Sequence, residues 1–178
     1  TERKHIQVDD RMAASVPGVW AIGDVTGKSQ LAHTAMAQGI LCAEAIAGKP
    51  VHPIDYVMIP RATYSHPQVA SFGYTEAQAR ERGMAVRIGK FLYQANGKAL
   101  GLGESAGFVK VVVDEEYGEI LGAHMIGAEV SELLPELTLA QKNELTVQEV
   151  LRNIHAHPTL SEAVMEAAEN AVGMAIHI

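Results

Sequence analysis

Near the end of the chain stands the run His155-Ala156-His157-Pro158-Thr159-Leu160-Ser161-Glu162. Proline after His157 biases that residue away from helical geometry, so its ring projects from the turn before a helix. Imidazole is the side chain best placed to exchange protons near neutral pH. Glu162 follows five residues on. A carboxylate there can fix the histidine tautomer and stabilise the imidazolium, which is the arrangement of general acid–base catalysis. A second reading uses the same atoms. Thr159-Leu160-Ser161-Glu162 is also a capping box, in which Glu162 only satisfies a backbone N–H. Residue types alone leave both readings open.

Two further features carry possible chemistry. Gly23-Asp24 follows the apolar run Val19-Trp20-Ala21-Ile22. An aspartate freed by a glycine at the carboxyl end of a strand offers a bidentate acceptor to the crevice where α/β sheets bind ligands. The same dipeptide is also an ordinary turn. His155, His157 and Glu162 have the spacing of a metal-ligand set. With no further ligand cluster and a proline beside His157, no metal is expected, and His155 is read as packing or hydrogen-bonding locally. Gly101-Leu102-Gly103-Glu104-Ser105-Ala106 mimics a dinucleotide fingerprint, but a strand follows where that motif needs a helix, so it reads as a flexible loop.

These groups need elements to hold them. Val19–Ile22 reads as a buried strand closed by Gly23-Asp24. A helix follows over about 33–47, with Ala37, Ile40, Leu41 and Ala45 on one face and Gly48 past its end. Lys49 to Tyr56, with Pro50 and Pro53, reads as a linker. Beyond it, Ile59–Tyr64 and Val69–Tyr74 are strand-like, and Thr75-Glu76-Ala77-Gln78 is a capping box that opens a helix ending near Arg82. Val86–Tyr93 reads as a strand, and Phe108–Val113 with Glu119–Ile126 reads as a hairpin around Asp114-Glu115-Glu116-Tyr117-Gly118. Helices are expected at about 129–142, 147–153 and 160–174, with Leu133, Leu134, Leu137, Val164, Met165 and Ala168 in the core. Strands first and helices after imply an α+β domain, an antiparallel sheet flanked by helices.

Composition narrows the classes. The 178 residues are 48 % hydrophobic and 20 % charged, values of a globular chain. A net charge of -7 excludes a nucleic-acid surface. The polar opening Thr1 to His5 is no signal peptide, and no stretch approaches the roughly 18 apolar residues of a membrane span. One cysteine, Cys42, excludes an intrachain disulfide and points to the cytoplasm. Thr1 is no natural initiator, and a lone strand at 19–22 lacks sheet partners. The chain is therefore expected to be a piece of a longer protein, with unpaired apolar surface in its first segment.

The string His-x-His-Pro-Thr-Leu-Ser-Glu leading into an apolar helix closely resembles the active-site segment of the dihydrolipoyl dehydrogenase family, within the class I pyridine nucleotide-disulfide oxidoreductases. It resembles glutathione reductases more loosely. Val16-Pro17-Gly18-Val19-Trp20-Ala21-Ile22-Gly23-Asp24-Val25 looks like the second FAD fingerprint of the same flavoproteins. The resemblance implies that residues 1–48 end an α/β FAD-binding domain, that 49–56 link, and that 57–178 form the interface (dimerisation) domain. It implies that His157 is the acid–base residue and Glu162 its orienting partner. Asp24, released by Gly23, would accept hydrogen bonds from the ribityl chain of FAD. The backbone of Gln30, Leu31, Ala32 and His33 would lie against the flavin ring, although Gln30 departs from the methionine of many members.

The activity implied is oxidation of a dihydrolipoyl group, carried on the acyltransferase of a 2-oxo acid dehydrogenase complex, with electrons passing through a disulfide and FAD to NAD+. In such enzymes the histidine serves the opposite subunit, so a homodimer is implied. The Gly-x-Gly-x-x-Gly motif, the Cys-x4-Cys disulfide and the NAD-binding domain belong upstream of Thr1, so this chain alone is expected to be inactive. Competing readings are an NADP-dependent, glutathione-reductase-like enzyme, a dimerising module that binds no flavin, and, more distantly, a metal hydrolase on His155 and His157.

Overall fold

Alternating apolar and polar residues become strands where each can bury its apolar side against partners. In the computed structural model, residues 4–177 are described; residues 1–3 of the opening polar stretch and residue 178 lie outside the described residues. The chain divides into two compact units, Thr1–Ile59 and Pro60–Ile178.

The second unit is built on five strands: β1 (Arg61–Thr63), β2 (Gln68–Gly73), β3 (Val86–Leu92), β4 (Phe108–Asp114) and β5 (Ile120–Gly127). Their order is β1-β2-β5-β4-β3, with every pairing antiparallel. The α+β reading is what the structure shows. The β4–β5 turn is tied by the Asp114 carboxylate, whose Oδ2 accepts from the N–H groups of Glu116 and Tyr117 at 3.0 and 2.5 Å.

Residues directly opposite across a ladder share one face. Phe72, Ala123, Val111 and Gly89 are matched in this way, as are Ala70, Met125, Val109 and Phe91, and all are buried. Helix α4 (Val130–Lys142) packs on β2 and β5, and α6 (Glu162–Ala171) packs on β3 and β4. The opposite face pairs Val112 and Val86 with Ala79 of α2 (Glu76–Glu81). Thr75 and Gln78 form the expected capping box at the start of that helix.

One position decides how α6 can sit. A Cβ at Gly89 would stand 1.8 Å from the Ala167 carbonyl oxygen and 2.7 Å from the Ala171 nitrogen. Only a glycine lets the helix backbone lie this close to β3. The edge of β3 is then occupied, because Lys90 N–H donates to Asn170 Oδ1 at 3.0 Å. An edge strand covered in this way presents fewer unpaired groups to other chains.

Three expectations fail. Residues 97–102, partly inside the run read as a flexible loop, form helix α3 (Gly97–Leu102), which Gly103 closes at φ 74°. Asn96 makes that start possible: its Oδ1 accepts from Ala99 N–H at 2.9 Å. Val19–Ile22 is no buried strand. Only isolated bridges form there, Ala13 with Trp20 and Val8 with Ala14, while Val19 and Ile22 are exposed. Among the described residues the apolar run has no neighbouring strand and so no ladder to join. On α1 (Ala32–Ile46) the buried side is Thr34, Gln38, Leu41, Cys42 and Ala45, whereas Ile40 is 65 % exposed and Ala37 is exposed too. The expected apolar surface of the first unit is present, in Val16, Val25, Met36, Ile40 and Ile46.

Gly89→Ala should lower stability by about 2 kcal/mol or more, since backbone rather than a movable side chain fills the space. Urea unfolding of the variant beside wild type checks this; an unchanged midpoint would mean that α6 does not need the close approach.

Candidate functional site

The sequence from Asn153 to Ser161 has no regular element of its own and runs between α5 (Val147–Arg152) and α6. It turns at a cis His157–Pro158 bond, and the His157 side chain is 77 % exposed. Nδ1 of His157 lies 2.8 Å from Glu162 Oε1. The other carboxylate oxygen accepts the Thr159 N–H at 2.7 Å. Glu162 therefore does both jobs, one oxygen on the backbone and the other on the imidazole, but the expected capping box is not complete: Ser161, not Thr159, is the N-cap residue, and its side chain does not cap the helix.

Electrostatics agree with that division. Burial pushes the Glu162 carboxyl up, but the Thr159 N–H and the bonded His157 outweigh it and hold the group below its ordinary value. An ionised Glu162 accepts from His157 Nδ1–H, which leaves Nε2 as the free lone pair of a neutral ring. Nε2 has no hydrogen-bond partner among the described residues. The ring sits near the start of α3, since a Cβ on Gly97 would be 4.0 Å from His157 Cε1. Such a site can take a proton from a group approaching from solvent and return it.

Two supports of this turn were not visible in the sequence. Asn96 is buried, and its Nδ2 donates to the Thr159 carbonyl oxygen at 3.1 Å while its Oδ1 caps α3. The signal available was an asparagine ahead of Gly97-Lys98-Ala99, a helix-cap pattern overshadowed by the glycines that follow. The second support is Glu136 on α4. His155 points its Nε2 at Glu136 Oε1 and Oε2, at 2.9 and 3.2 Å, and its Nδ1 at the Asn153 carbonyl oxygen at 2.8 Å. Asn153 Nδ2 also donates to Glu136 Oε1 at 3.0 Å.

Because both nitrogens of the His155 ring face acceptors, only the doubly protonated ring donates to all of them. Its hydrogen bond to Glu136 holds it above its ordinary value, against the opposing effect of burial. Burial pushes Glu136 up, but the His155 and Asn153 hydrogen bonds outweigh this and hold it low. Both ring nitrogens are thus taken by protein atoms, and no group of three or more potential metal ligands occurs among the described residues.

In the first unit, Gly23 opens a short 3-10 turn over Gly23–Thr26 at φ 73°. Gly23 N–H donates to Gln38 Oε1 at 2.6 Å, and Gln38 Nε2 donates to the Tyr56 hydroxyl at 2.9 Å. Gln38 is fully buried, so this amide anchors the turn to α1; its place among small apolar residues hid its role in the sequence. Asp24 is exposed on the turn. Gln30 lies just before α1, Leu31 is its N-cap residue, and Ala32 and His33 begin it. The side chain of the N-cap residue Leu31 does not cap that helix start. The structure brings Gly23, Asp24, Gln30, Leu31, Ala32 and His33 into one unit, and His157 and Glu162 into the other.

The ion pair sets a pH window. A histidine held above its ordinary 6.5 stabilises fully below 6.5, and the contribution is lost as pH rises through the raised value. A carboxylate held below its ordinary 4.5 stabilises fully above 4.5, and loses this as pH falls through the lowered value. The Tm difference between wild type and His155→Gln should therefore peak between pH 4.5 and 6.5 and narrow on both sides. A difference that ignores pH would remove the ion pair from this account.

Comparison with known proteins gives the family. Residues 59–168 match the pyridine nucleotide-disulphide oxidoreductase dimerisation domain, and residues 1–39 match the pyridine nucleotide-disulphide oxidoreductase family. A dihydrolipoyl dehydrogenase of Corynebacterium glutamicum is 54 % identical over 99 % of this chain, and one of Mycobacterium leprae is 56 % identical over the same share. The chain spans 38 % of the length of each. Among solved structures, LpdA from Mycobacterium tuberculosis superposes with a TM-score of 0.88 at 27 % identity, covering 93 % of this chain and 36 % of that one. No helix among the described residues is long and apolar enough to cross a membrane. With most of its length matched to their dimerisation domain, the chain belongs to the pyridine nucleotide-disulphide oxidoreductases.

Proposed function

We propose that this chain is the C-terminal part of a dihydrolipoyl dehydrogenase, and that His157 with Glu162 is its acid–base pair. The observation that carries the reading is the 2.8 Å contact of His157 Nδ1 with Glu162 Oε1, on an exposed ring whose Nε2 has no partner among the described residues. Residues 1–48 would close an FAD-binding domain, 49–56 would link, and 57–178 would form the interface domain of a cytoplasmic homodimer.

In this reading a dihydrolipoyl group borne on the acyltransferase of a 2-oxo acid dehydrogenase complex reaches His157 from solvent. Nε2 takes a thiol proton, because the thiolate is the effective nucleophile toward a disulfide. The proton rests on the ring while the positive charge faces ionised Glu162. Glu162 cannot swing away easily, since its second oxygen holds the Thr159 N–H. The disulfide is supplied from outside this chain, whose one cysteine is the buried Cys42.

Bound FAD supplies an electron-pair acceptor for the reduced disulfide and a donor to NAD+. Asp24 would hold its ribityl hydroxyls. The backbone of Gln30, Leu31, Ala32 and His33, at the start of α1, would lie against the flavin ring, where the positive end of the helix dipole favours negative charge. Gly23 gives the backbone turn its left-handed step, and Gln38 would keep that turn seated.

In the intact protein, His157→Gln should cut NAD+ reduction by dihydrolipoamide about 10²-fold or more, the usual size of a general acid–base effect. Near-normal turnover would take His157 out of the mechanism. Glutathione-disulfide reduction with NADPH, run beside it, should be negligible; activity there alone would move the substrate and the nucleotide. Asp24→Ala should lose FAD on dialysis, read from the flavin-to-protein absorbance ratio, and stoichiometric flavin after dialysis would refute that contact.

A further inference from the structure

The turn that carries His157 is held at two points by residues outside it. Asn96 binds its far side through the Thr159 carbonyl. Its near side is held ionically, by His155, two residues before His157. The two histidines have opposite surroundings: the His155 side chain is 3 % exposed and the His157 side chain 77 % exposed. His155 spans from the Asn153 carbonyl to both oxygens of Glu136 on α4, so the backbone at 153–155 is tied to a helix that packs on the sheet.

Such a pair adds little net stability over well-packed apolar side chains, because desolvation offsets the attraction. What it does provide is a defined geometry, since a charge left without its partner in a mostly buried place is costly. The geometry matters one step along the chain. His157 meets Glu162 at 2.8 Å only if the 155–157 backbone delivers its ring toward the start of α6. The charge matters as well. Protonated His155 is near enough to Glu162 to favour its ionised form, beside the contributions of Thr159 and His157.

We propose that His155, clamped by Glu136, is a positioning residue for His157: it sets the turn that delivers His157 Nδ1 to Glu162. The kinetic consequence rests on the reading of His157 as the proton-transferring residue; the geometric consequence does not. Neither His155 nor Glu136 touches the reacting atoms. Glu136 acts through His155, and His155 acts through the backbone.

The test has two readouts. Long-range 1H–15N spectra of the 15N-labelled 19.1 kDa chain report which ring nitrogens carry protons. Wild type should show His155 protonated on both nitrogens and His157 protonated on Nδ1. In His155→Gln and in Glu136→Gln, His157 should shift toward the Nε2–H tautomer that free imidazole prefers. In the intact protein, both variants should lower kcat about tenfold while KM for dihydrolipoamide stays within about twofold, as expected for a misaligned base with binding preserved. A wild-type His157 tautomer with wild-type kcat in both variants would overturn the proposal. If His155→Gln does not fold, Glu136→Gln, which keeps the side-chain shape, carries the same expectation and the same refutation. Full turnover in His157→Gln would sink the acid–base reading and leave the tautomer to decide this one.

Discussion

Contact between the backbone of α6 and β3 at Gly89 is the constraint on which the rest of the second unit depends. It requires a residue without a side chain at the centre of an edge strand, opposite Val111 and in line with Ala123. Small residues on the helix, Ala163, Ala167, Ala168 and Ala171, keep the approach close, and all are buried. Because Glu162 is the first residue of that helix, the position of the helix is also the position of the carboxylate. A shift of α6 by a fraction of a turn would carry Glu162 away from both His157 and Thr159.

From this anchor the turn before α6 is triangulated. The sheet supports α6 and α4, and α4 supplies Glu136 to His155. The chain after β3 supplies Asn96 to Thr159. The short span 153–161 is thus bound to three separate parts of the unit while making no ladder or helix itself. Its polar groups are paired where they are buried, and the one imidazole left open is the one at the surface. An exposed ring with an ionised partner on one nitrogen and a free lone pair on the other is equipped for proton exchange rather than for holding the fold.

Much of this organisation was legible in residue patterns. The strands from β2 to β5 stand out as short apolar runs that alternate only in part, the Asp114-to-Gly118 turn marks its hairpin, and Thr75 and Gln78 announce α2. His157 and Glu162 were legible as a pair because proline ends helical geometry just before a capping box. The double use of Glu162 was not, since a spacing of five residues cannot say which oxygen faces which donor. Helix α3 was missed because three glycines in residues 97–103 outweigh a single capping asparagine. The strand at 19–22 was assigned on its apolar run, and that run met no ladder among the described residues.

By itself the amino-acid sequence determined which chemistry is available: an imidazole before a proline, a carboxylate at the next helix start, and a Gly-Asp turn ahead of α1. These are properties of residue types and of local backbone preference, which act over a few positions. Only the tertiary structure decided that Asn96, Glu136 and Gln38 belong to the sites. Each reaches its partner from 15 to 63 residues away along the chain. The physical reason is that a polar side chain finds its partner by burial and direction, and both are set by how helices and sheet pack.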